Sequence, residues 1–248
     1  MSTEHIAQAH AFLASSVAVD RGERTEDPSD PATVQAMQIA LHIPKTDPPR
    51  RNDLLVAAAQ SVVAVCLAPE AVTDSQWHAR LEQWYGHLIR KIARRGRNLA
   101  WRAVQSTPGI TAQWGSAEAR AFLPSAVSEV PTEVRKLQIQ GTDLPLHEDS
   151  DINPTWPTIA VNRALSMTVG KAAAQVGHAS MLYAARMPAT IIVPWAEQGF
   201  PLNVVEAAPE LFDDAVNHPQ SVVVRDAGFT EIAPNSITTA TFPPAASI

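Results

Sequence analysis

The segment "GKAAAQVGHA", residues 170–179, carries three polar side chains at helical spacing. Lys171, Gln175 and His178 stand at positions i, i+4 and i+7, which project from one face of an α-helix. A lysine in a first helical turn meets the positive end of the helix dipole, which is unfavourable. We interpret this placement as a site for an anion or a developing oxyanion, held by the ammonium and by free backbone N–H groups. The alternative is a solvated lysine with a core histidine behind it.

A second polar segment, "RDAGFTEIAPNSITT", supplies a carboxylate and two hydroxyls. Asp226 ends a predicted strand before a glycine turn, Thr230 lies four residues on, and Thr238 lies near the last strand. Strand ends and helix N-termini meet at one edge of an α/β layer, so these groups can converge with Lys171. A carboxylate beside an ammonium can orient or activate a water molecule. The alternative is that Asp226 caps its own turn and that the threonines are ordinary strand residues.

Together the two segments resemble the type-2 peptidyl-tRNA hydrolase family over about residues 156–244. Its members typically read G-K-x-A-A-Q-x-x-H-A in the first helix and D-A-G-x-T-x-I-x-x-G-S-x-T near the C-terminus. The resemblance implies a compact α/β domain, commonly dimeric, that needs no metal or other cofactor and cleaves the ester joining a peptide to the terminal ribose of tRNA. The catalytic residues that it implies are Lys171, Asp226, Thr230 and Thr238, with Gln175 and His178 beside them as substrate-binding residues.

Some positions depart from the family pattern. They are Ala164, Ser166, Val169 and Leu202, where an acidic residue and lysines are usual, and Glu231 and Asn235, where glutamine and glycine are usual. From residue 151 onward the chain has four Lys/Arg and eight Asp/Glu. This half alone therefore offers few contacts to phosphate groups.

The dense basic segment "RKIARRGRNLAWR", residues 90–102, lies upstream. We expect its cations to continue a helix that begins near residue 75 and to contact an RNA backbone, with Trp101 nearby as a stacking surface. The alternative is a solvated outer helix face. The predicted substrate-binding residues of this segment are Arg90, Lys91, Arg94, Arg95 and Arg97.

Composition narrows the class of protein. The 248 residues are 46% apolar and 18% charged, which argues against general disorder. The net charge of −6 does not suggest nucleic-acid binding over the whole surface. The single cysteine, Cys66, excludes an internal disulfide and lies in an apolar run typical of a core. No apolar run of about 20 residues predicts a membrane span, and no signal-peptide pattern is present, so we expect a cytoplasmic protein.

Other catalytic signatures are missing from the sequence. It contains no G-x-S-x-G, no H-E-x-x-H, no paired CxxC and no phosphate-binding glycine loop. The potential metal ligands in "LHEDSD", residues 146–151, lack ordered spacing, and we interpret that segment as a solvated linker. No metal site is predicted.

Hydrophobic periodicity predicts the elements that position these residues. In the first half we expect a helix at 3–19, a strand at "MQIALHI", an almost wholly apolar helix at 54–68 capped by Asp53, a helix at 75–96, and strands at "LAWRAVQ" and "EARAFLP" on either side of the turn region "TPGITAQWGS". In the second half we expect a strand at "TIAVNRAL", helices at 169–186 and 209–217, and strands at "LNVVEA", "SVVVRDA" and "SITTATF".

Three similar words recur in the same order in both halves and favour an internal duplication. They are "AAAQ" at 57–60 and 172–175, "PGIT" at 108–111 and "AGFT" at 227–230, and "ARAFLP" at 119–124 and "TATFPP" at 239–244. In this alignment Val56 and Val63 replace Lys171 and His178, and Ser106 or Thr107 replaces Asp226. The first copy is then catalytically inactive.

We therefore predict an α/β protein with mixed β-sheets layered with helices. Its expected parts are a mobile tail (1–33), a degenerate repeat that carries the basic helix (34–127), a connector (128–155) and a hydrolase-like domain (156–248). The two repeats would pack as an intramolecular pseudo-dimer, with a homodimer as the alternative. The predicted function is hydrolysis of peptidyl-tRNA. The alternative is a non-catalytic module, descended from this fold, that binds RNA or protein.

Overall fold

The structure is a computed structural model that describes residues 2–18, 26–146, 152–228 and 231–244. The first part of the chain forms α1 (Thr3–Ala18), β1 (Gln35–His42), α2 (Arg51–Leu67), α3 (Glu70–Thr73), α4 (Ser75–Tyr85), β2 (Arg90–Gly96), α5 (Asn98–Ala103), β3 (Gly109–Trp114), β4 (Ala117–Phe122), β5 (Ser125–Ala126) and α6 (Thr132–Arg135). The second part forms β6 (Thr158–Asn162), α7 (Val169–Arg186), α8 (Ala189–Glu197), β7 (Asn203–Ala207), α9 (Pro209–Asn217), β8 (Val222–Arg225) and β9 (Ile237–Phe242).

Two mixed sheets share one topology. The N-terminal unit, β1 to β4, has the strand order β2-β1-β4-β3, with the short β5 added beside β1, and the C-terminal unit, β6 to β9, has the order β7-β6-β9-β8. In each unit the first strand is parallel to the second and antiparallel to the fourth, and the last two strands are antiparallel. The α/β class is confirmed, and the second sheet-and-helix unit is consistent with a duplication.

The long helices α2 and α7 lie between the two sheets and pack against each other. Small residues allow this close approach, because a Cβ atom on Gly177 would lie 2.7 Å from Val62 Cγ2. The Ser180 hydroxyl donates to the carbonyl of Ala59 at 2.8 Å across the same contact. The stretch Arg51–Thr73 is long and apolar enough to cross a membrane, but 83% of its most apolar window is buried here, as expected of a core helix.

Helix α1 packs onto the helical layer of the C-terminal unit. Ile6 and Leu13 are fully buried, and the His10 ring lies with Nε2 3.0 Å from the carbonyl oxygens of both Ala184 and Met187. The helix expected at 3–19 is found. Residues 3–18 are consequently part of the folded core and not of a mobile tail, while residues 19–25 lie outside the described residues.

The outer face of each sheet carries a smaller apolar cluster. On the N-terminal unit, Trp101 and Val104 pack with Val134 and Leu137 of the connector against the sheet. On the C-terminal unit, α9 contributes Phe212 in the equivalent position.

The expected helix at 75–96 is wrong beyond Tyr85. Trp77, Leu81 and Trp84 do form the buried face of α4, but the helix ends at Tyr85 and the following basic residues form strand β2. The physical reason is strand pairing, since β2 runs parallel to β1 from the Ala36–Arg90 pair to the His42–Gly96 pair. Charge and local spacing gave no sign of this long-range ladder.

Three smaller expectations for the N-terminal unit are also wrong. "LAWRAVQ" forms α5 and a 3₁₀ turn because Trp101 and Val104, three apart, share a buried face. The predicted turn region contains strand β3, which pairs with β4. Asp53 does not cap α2; the helix begins at Arg51 and Asp53 lies in its first turn. Helix α8 was not predicted.

The two copies align by topology at two of the three similar words. Both "AAAQ" words lie in the long central helices, and "ARAFLP" and "TATFPP" both cover the end of the last strand. "PGIT", however, leads into β3, whereas Ala227 and Gly228 follow β8. Ser106 and Thr107 precede β3 and therefore are not the counterparts of Asp226.

Candidate functional site

Three parallel strands of the C-terminal unit end at one edge of the sheet. β6 is parallel to β7, and both β6 and β8 are antiparallel to β9, so the carboxyl ends of β6, β7 and β8 lie together. Helix α7 begins at the same edge because it follows β6. The topology therefore brings the first turn of α7 next to the residue that follows β8, which is Asp226.

Asp226 is fixed by its own turn. Its backbone N–H donates to Ser236 O at 2.9 Å, and its carbonyl accepts the Asn235 N–H at 2.8 Å. Its Oδ1 accepts the Gly228 N–H at 2.9 Å. Residue 228 has φ +80° and residue 235 has φ +65°, so glycine and asparagine suit these positions. The carboxylate is held in one orientation and is 7% exposed.

The other oxygen of Asp226 faces helix α7. Oδ2 accepts Lys171 Nζ at 2.5 Å and Gln175 Nε2 at 2.8 Å. The predicted i, i+4 relation therefore brings both side chains to one carboxylate. With the lysine side chain 12% exposed and the aspartate side chain 7% exposed, this is a largely buried ion pair.

Thr238 completes the network from strand β9. It is fully buried, and its hydroxyl donates to Gln175 Oε1 at 2.7 Å. Because that oxygen is the acceptor, the amide nitrogen of Gln175 points to Asp226. A continuous chain of hydrogen bonds thus links Thr238, Gln175, Asp226 and Lys171, which we call the carboxylate network.

The N-terminus of α7 is already hydrogen-bonded. Thr168 caps the helix and accepts the Lys171 N–H at 3.2 Å, and Thr142 of the connector accepts the Gly170 N–H at 3.1 Å. Thr168 in turn donates its hydroxyl to Glu231 at 2.9 Å. The expectation of free backbone N–H groups for an anion is therefore wrong for these two groups. The threonine preceding the helix signals the cap of Thr168, but no pattern indicated Thr142 or Glu231.

Two of the predicted site residues, His178 and Thr230, are not part of the carboxylate network described above. His178 lies half-buried on α7, three residues beyond Gln175. Thr230 lies outside the described residues. The roles of both stay predictions.

A pocket of about 330 Å³ lies at the start of α7, and its lining includes no residue of the carboxylate network itself. Thr168, which caps α7, lines it together with Asn162 at the end of β6 and Glu206 at the end of β7. Arg51 of α2 and part of the connector line it from the other unit. Among the described residues, no group of three or more His, Cys, Asp or Glu is placed to hold a metal ion.

The basic segment is engaged inside the fold. Arg90 pairs with Glu26. Arg94 donates to Gln38 Oε1 at 2.8 Å, and burial lowers its pKa. Arg95 donates to Gly141 O at 2.5 Å and Arg97 to Ile43 O at 2.6 Å. The predicted helical face of cations does not exist, because residues 90–96 form strand β2. Contact of Arg90, Arg94, Arg95 and Arg97 with an RNA backbone stays a prediction.

Lys91 differs from its neighbours. Its Nζ is buried without a hydrogen-bond partner in the described part of the chain and lies 4.8 Å from the centre of the Trp84 ring. Burial lowers the pKa of Lys91 to about 7, with a smaller opposing contribution from Cys66. A group so placed cannot contact a polyanion.

The N-terminal unit lacks the carboxylate network at its equivalent edge. Between β3 and β4 stand only Gly115 and Ser116, where the C-terminal unit has the loop that begins with Asp226. Val56 and Val63, aligned with Lys171 and His178, are buried in the core. This unit therefore has no counterpart of the Lys171–Asp226 pair.

Comparison with known proteins gives one match, to a family model. No curated protein and no solved structure matches the chain. The C-terminal part, residues 157–247, which holds the whole carboxylate network, matches the family model described as peptidyl-tRNA hydrolase PTH2.

Proposed function

We propose that the C-terminal unit hydrolyses the ester between peptide and tRNA in peptidyl-tRNA. The observation that carries this proposal is the carboxylate network, which lies at the carboxyl edge of the sheet within the segment matched by the family model. Fixed orientation of a carboxylate and an ammonium beside a pocket suits hydrolysis without a covalent intermediate.

In this mechanism Asp226 orients the attacking water. The water oxygen bonds to the ester carbonyl carbon, the bond from that carbon to the ribose oxygen breaks, and the water proton ends on the ribose hydroxyl. Lys171, held by Asp226, stabilises the negative charge that develops on the carbonyl oxygen. Gln175 and Thr238 keep the carboxylate aligned, while Thr230 remains a proposed partner of the water or substrate.

Two exposed arginines at this edge support contact with a phosphate backbone. Of the four Lys/Arg that follow residue 151, two lie exposed at this edge, Arg163 after β6 and Arg225 at the end of β8, whereas Lys171 is paired with Asp226. The net charge of the chain is negative, so a local cluster is the form such a contact must take. We propose a cytoplasmic enzyme whose two units act as an intramolecular pseudo-dimer.

The test is release of peptide from N-acetyl-phenylalanyl-tRNA by the full chain. We expect turnover by the wild type and a loss of about 10²–10⁴-fold in kcat for Asp226→Asn, which keeps shape but removes the charge. Asp213→Asn, on the exposed side of α9, is the matched control and keeps wild-type turnover.

A wild-type protein that binds tRNA but releases no peptide contradicts the proposal. That outcome supports the alternative, a non-catalytic module that retains the fold. The excess of acidic over basic residues after residue 151 and the nearly buried Asp226 are the features that favour this alternative.

A further inference from the structure

The pocket at the start of α7 is built by both halves of the chain. Arg51 of α2 and Asp143, Leu144 and Leu146 of the connector line one side of its 330 Å³ volume. All four residues precede the segment that the family model matches, residues 157–247. Only the tertiary structure joins them to Ser166 and Thr168 on the other side.

Arg51, one of the residues that line this pocket, is held by several hydrogen bonds. Its Nε and Nη2 donate to the two carboxylate oxygens of Glu206 at 2.8 and 2.7 Å, and Nη2 also donates to Met167 O at 2.8 Å. Both side chains of the pair are 6% exposed. A bidentate pair with satisfied donors is rigid and carries no net charge.

The charges around the pocket are balanced. Arg51 and Glu206 neutralise each other, and Arg163 and Asp143 add one charge of each sign. The remaining lining mixes hydroxyl and amide groups with Leu144, Leu146 and Met167. Balanced charge disfavours a bare phosphate, whereas mixed apolar and hydrogen-bonding walls of this size suit a small neutral polar group.

The position of the pocket indicates which part of a substrate enters it. Thr168 lines the pocket and accepts the backbone N–H of Lys171, so the pocket lies at the first turn of α7, the turn that also carries the Lys171 side chain. A hydrolase of this kind must accept many peptides, and a walled pocket with fixed polar groups would restrict them. The constant part of the substrate next to the scissile ester is the terminal nucleoside.

We propose that this pocket binds the terminal nucleoside of the tRNA acceptor end, and that the N-terminal unit and connector serve as one wall of it. The proposal rests on the proposed function. It gives the degenerate unit a role in substrate binding although that unit has no carboxylate network of its own.

The experiment fills the pocket with a bulky side chain. Leu146 is 47% exposed at the pocket wall, so Leu146→Trp has room to fold, and Leu211→Trp, at a 63% exposed position on α9, is the matched control. Adenosine binding is followed by NMR titration of each full-length protein, and KM and kcat are measured with N-acetyl-phenylalanyl-tRNA. Thermal unfolding confirms that both variants are folded.

For Leu146→Trp we expect adenosine affinity to fall about tenfold, which corresponds to about 1.4 kcal/mol of binding free energy. We expect KM to rise by a similar factor, while kcat stays nearly unchanged. The control should stay within about twofold of wild type in each quantity. If the wild type binds adenosine and Leu146→Trp does not, the pocket is supported. If in addition neither protein hydrolyses the ester, only the proposed function is wrong. If the wild type hydrolyses the ester but Leu146→Trp changes neither adenosine binding nor KM, the proposed nucleoside pocket is wrong and the proposed function stands. Absence of adenosine binding by the wild type also overturns it.

Discussion

At the scale of single residues, the carboxylate network explains why the polar members of α7 are spaced as they are. Asp226 uses Oδ1 to fix its own turn and Oδ2 to receive Lys171 and Gln175. A lysine in the first helical turn is unfavourable for the helix alone, but here it has a carboxylate 2.5 Å away. Lys171, which is unfavourable for the helix alone, is therefore stabilised by Asp226, 55 residues along the chain.

Lys91 leads to a prediction about pH. Its pKa is about 7 in the folded protein because of burial, against about 10.4 in an unfolded chain, so between these values the unfolded state binds more protons. The free energy of unfolding should therefore rise with pH from about 7 towards 10. Below pH 7 the buried ammonium destabilises the fold, partly offset by the Trp84 ring.

Lys91→Met removes this dependence, and urea unfolding at pH 6 and pH 9 measures it. We expect the variant to gain stability over wild type at pH 6 and to gain less at pH 9. Burial raises the pKa of the neighbouring Cys66 to about 11, so the thiol does not titrate in this range. Lys136→Met, at an exposed position, is the control. An equal gain at both pH values would show that Lys91 is charged in the fold.

At the scale of elements, the contact between α2 and α7 depends on the absence of a side chain. Gly177 lies where α7 meets α2, and its ideal Cβ would be 2.7 Å from Val62 Cγ2. Valine is stiff at χ1, so it cannot turn away at low cost. Glycine in mid-helix is unfavourable by about 1 kcal/mol relative to alanine, and its presence here follows from this crossing.

Gly177→Ala should therefore destabilise the protein. Overpacking of about 1–3 kcal/mol exceeds the gain in helix propensity, which leaves a net loss of about 1 kcal/mol by urea unfolding. Combining it with Val62→Ala should cost less than the sum of the two single changes, because the new methyl group occupies the vacated space. Gly86→Ala, where the nearest atoms are 3.4 Å away, is the control. Additive losses would argue against this contact.

At the scale of the whole molecule, the two units are joined by a buried ion pair as well as by helix packing. Arg51 begins α2 in one unit, and Glu206 lies near the end of β7 in the other. The same arginine donates to Met167 O, immediately before the cap of α7. The start of each central helix is thereby fixed relative to the other, which places the connector over the pocket.

Arg51→Met leaves Glu206 buried without its cation and should cost about 3–5 kcal/mol. The double change Arg51→Met and Glu206→Leu should recover most of that loss, since no unpaired charge remains. A double-mutant cycle from urea unfolding measures the coupling. A double variant as unstable as Arg51→Met alone would mean that packing, and not the pair, sets the cost.

The sequence by itself determined the features that depend on local spacing. The bounds of α7 and α9, the relation of Lys171 to Gln175, and the position of Asp226 after a strand all follow from periodicity and motif, and the family model matches the segment that contains them. The tertiary structure decided the rest, because contacts between distant segments have no local signature. The basic segment forms a strand because it pairs with β1. Thr142 accepts the Gly170 N–H at the start of α7. Arg51 pairs with Glu206 of the other unit, and both residues line the pocket.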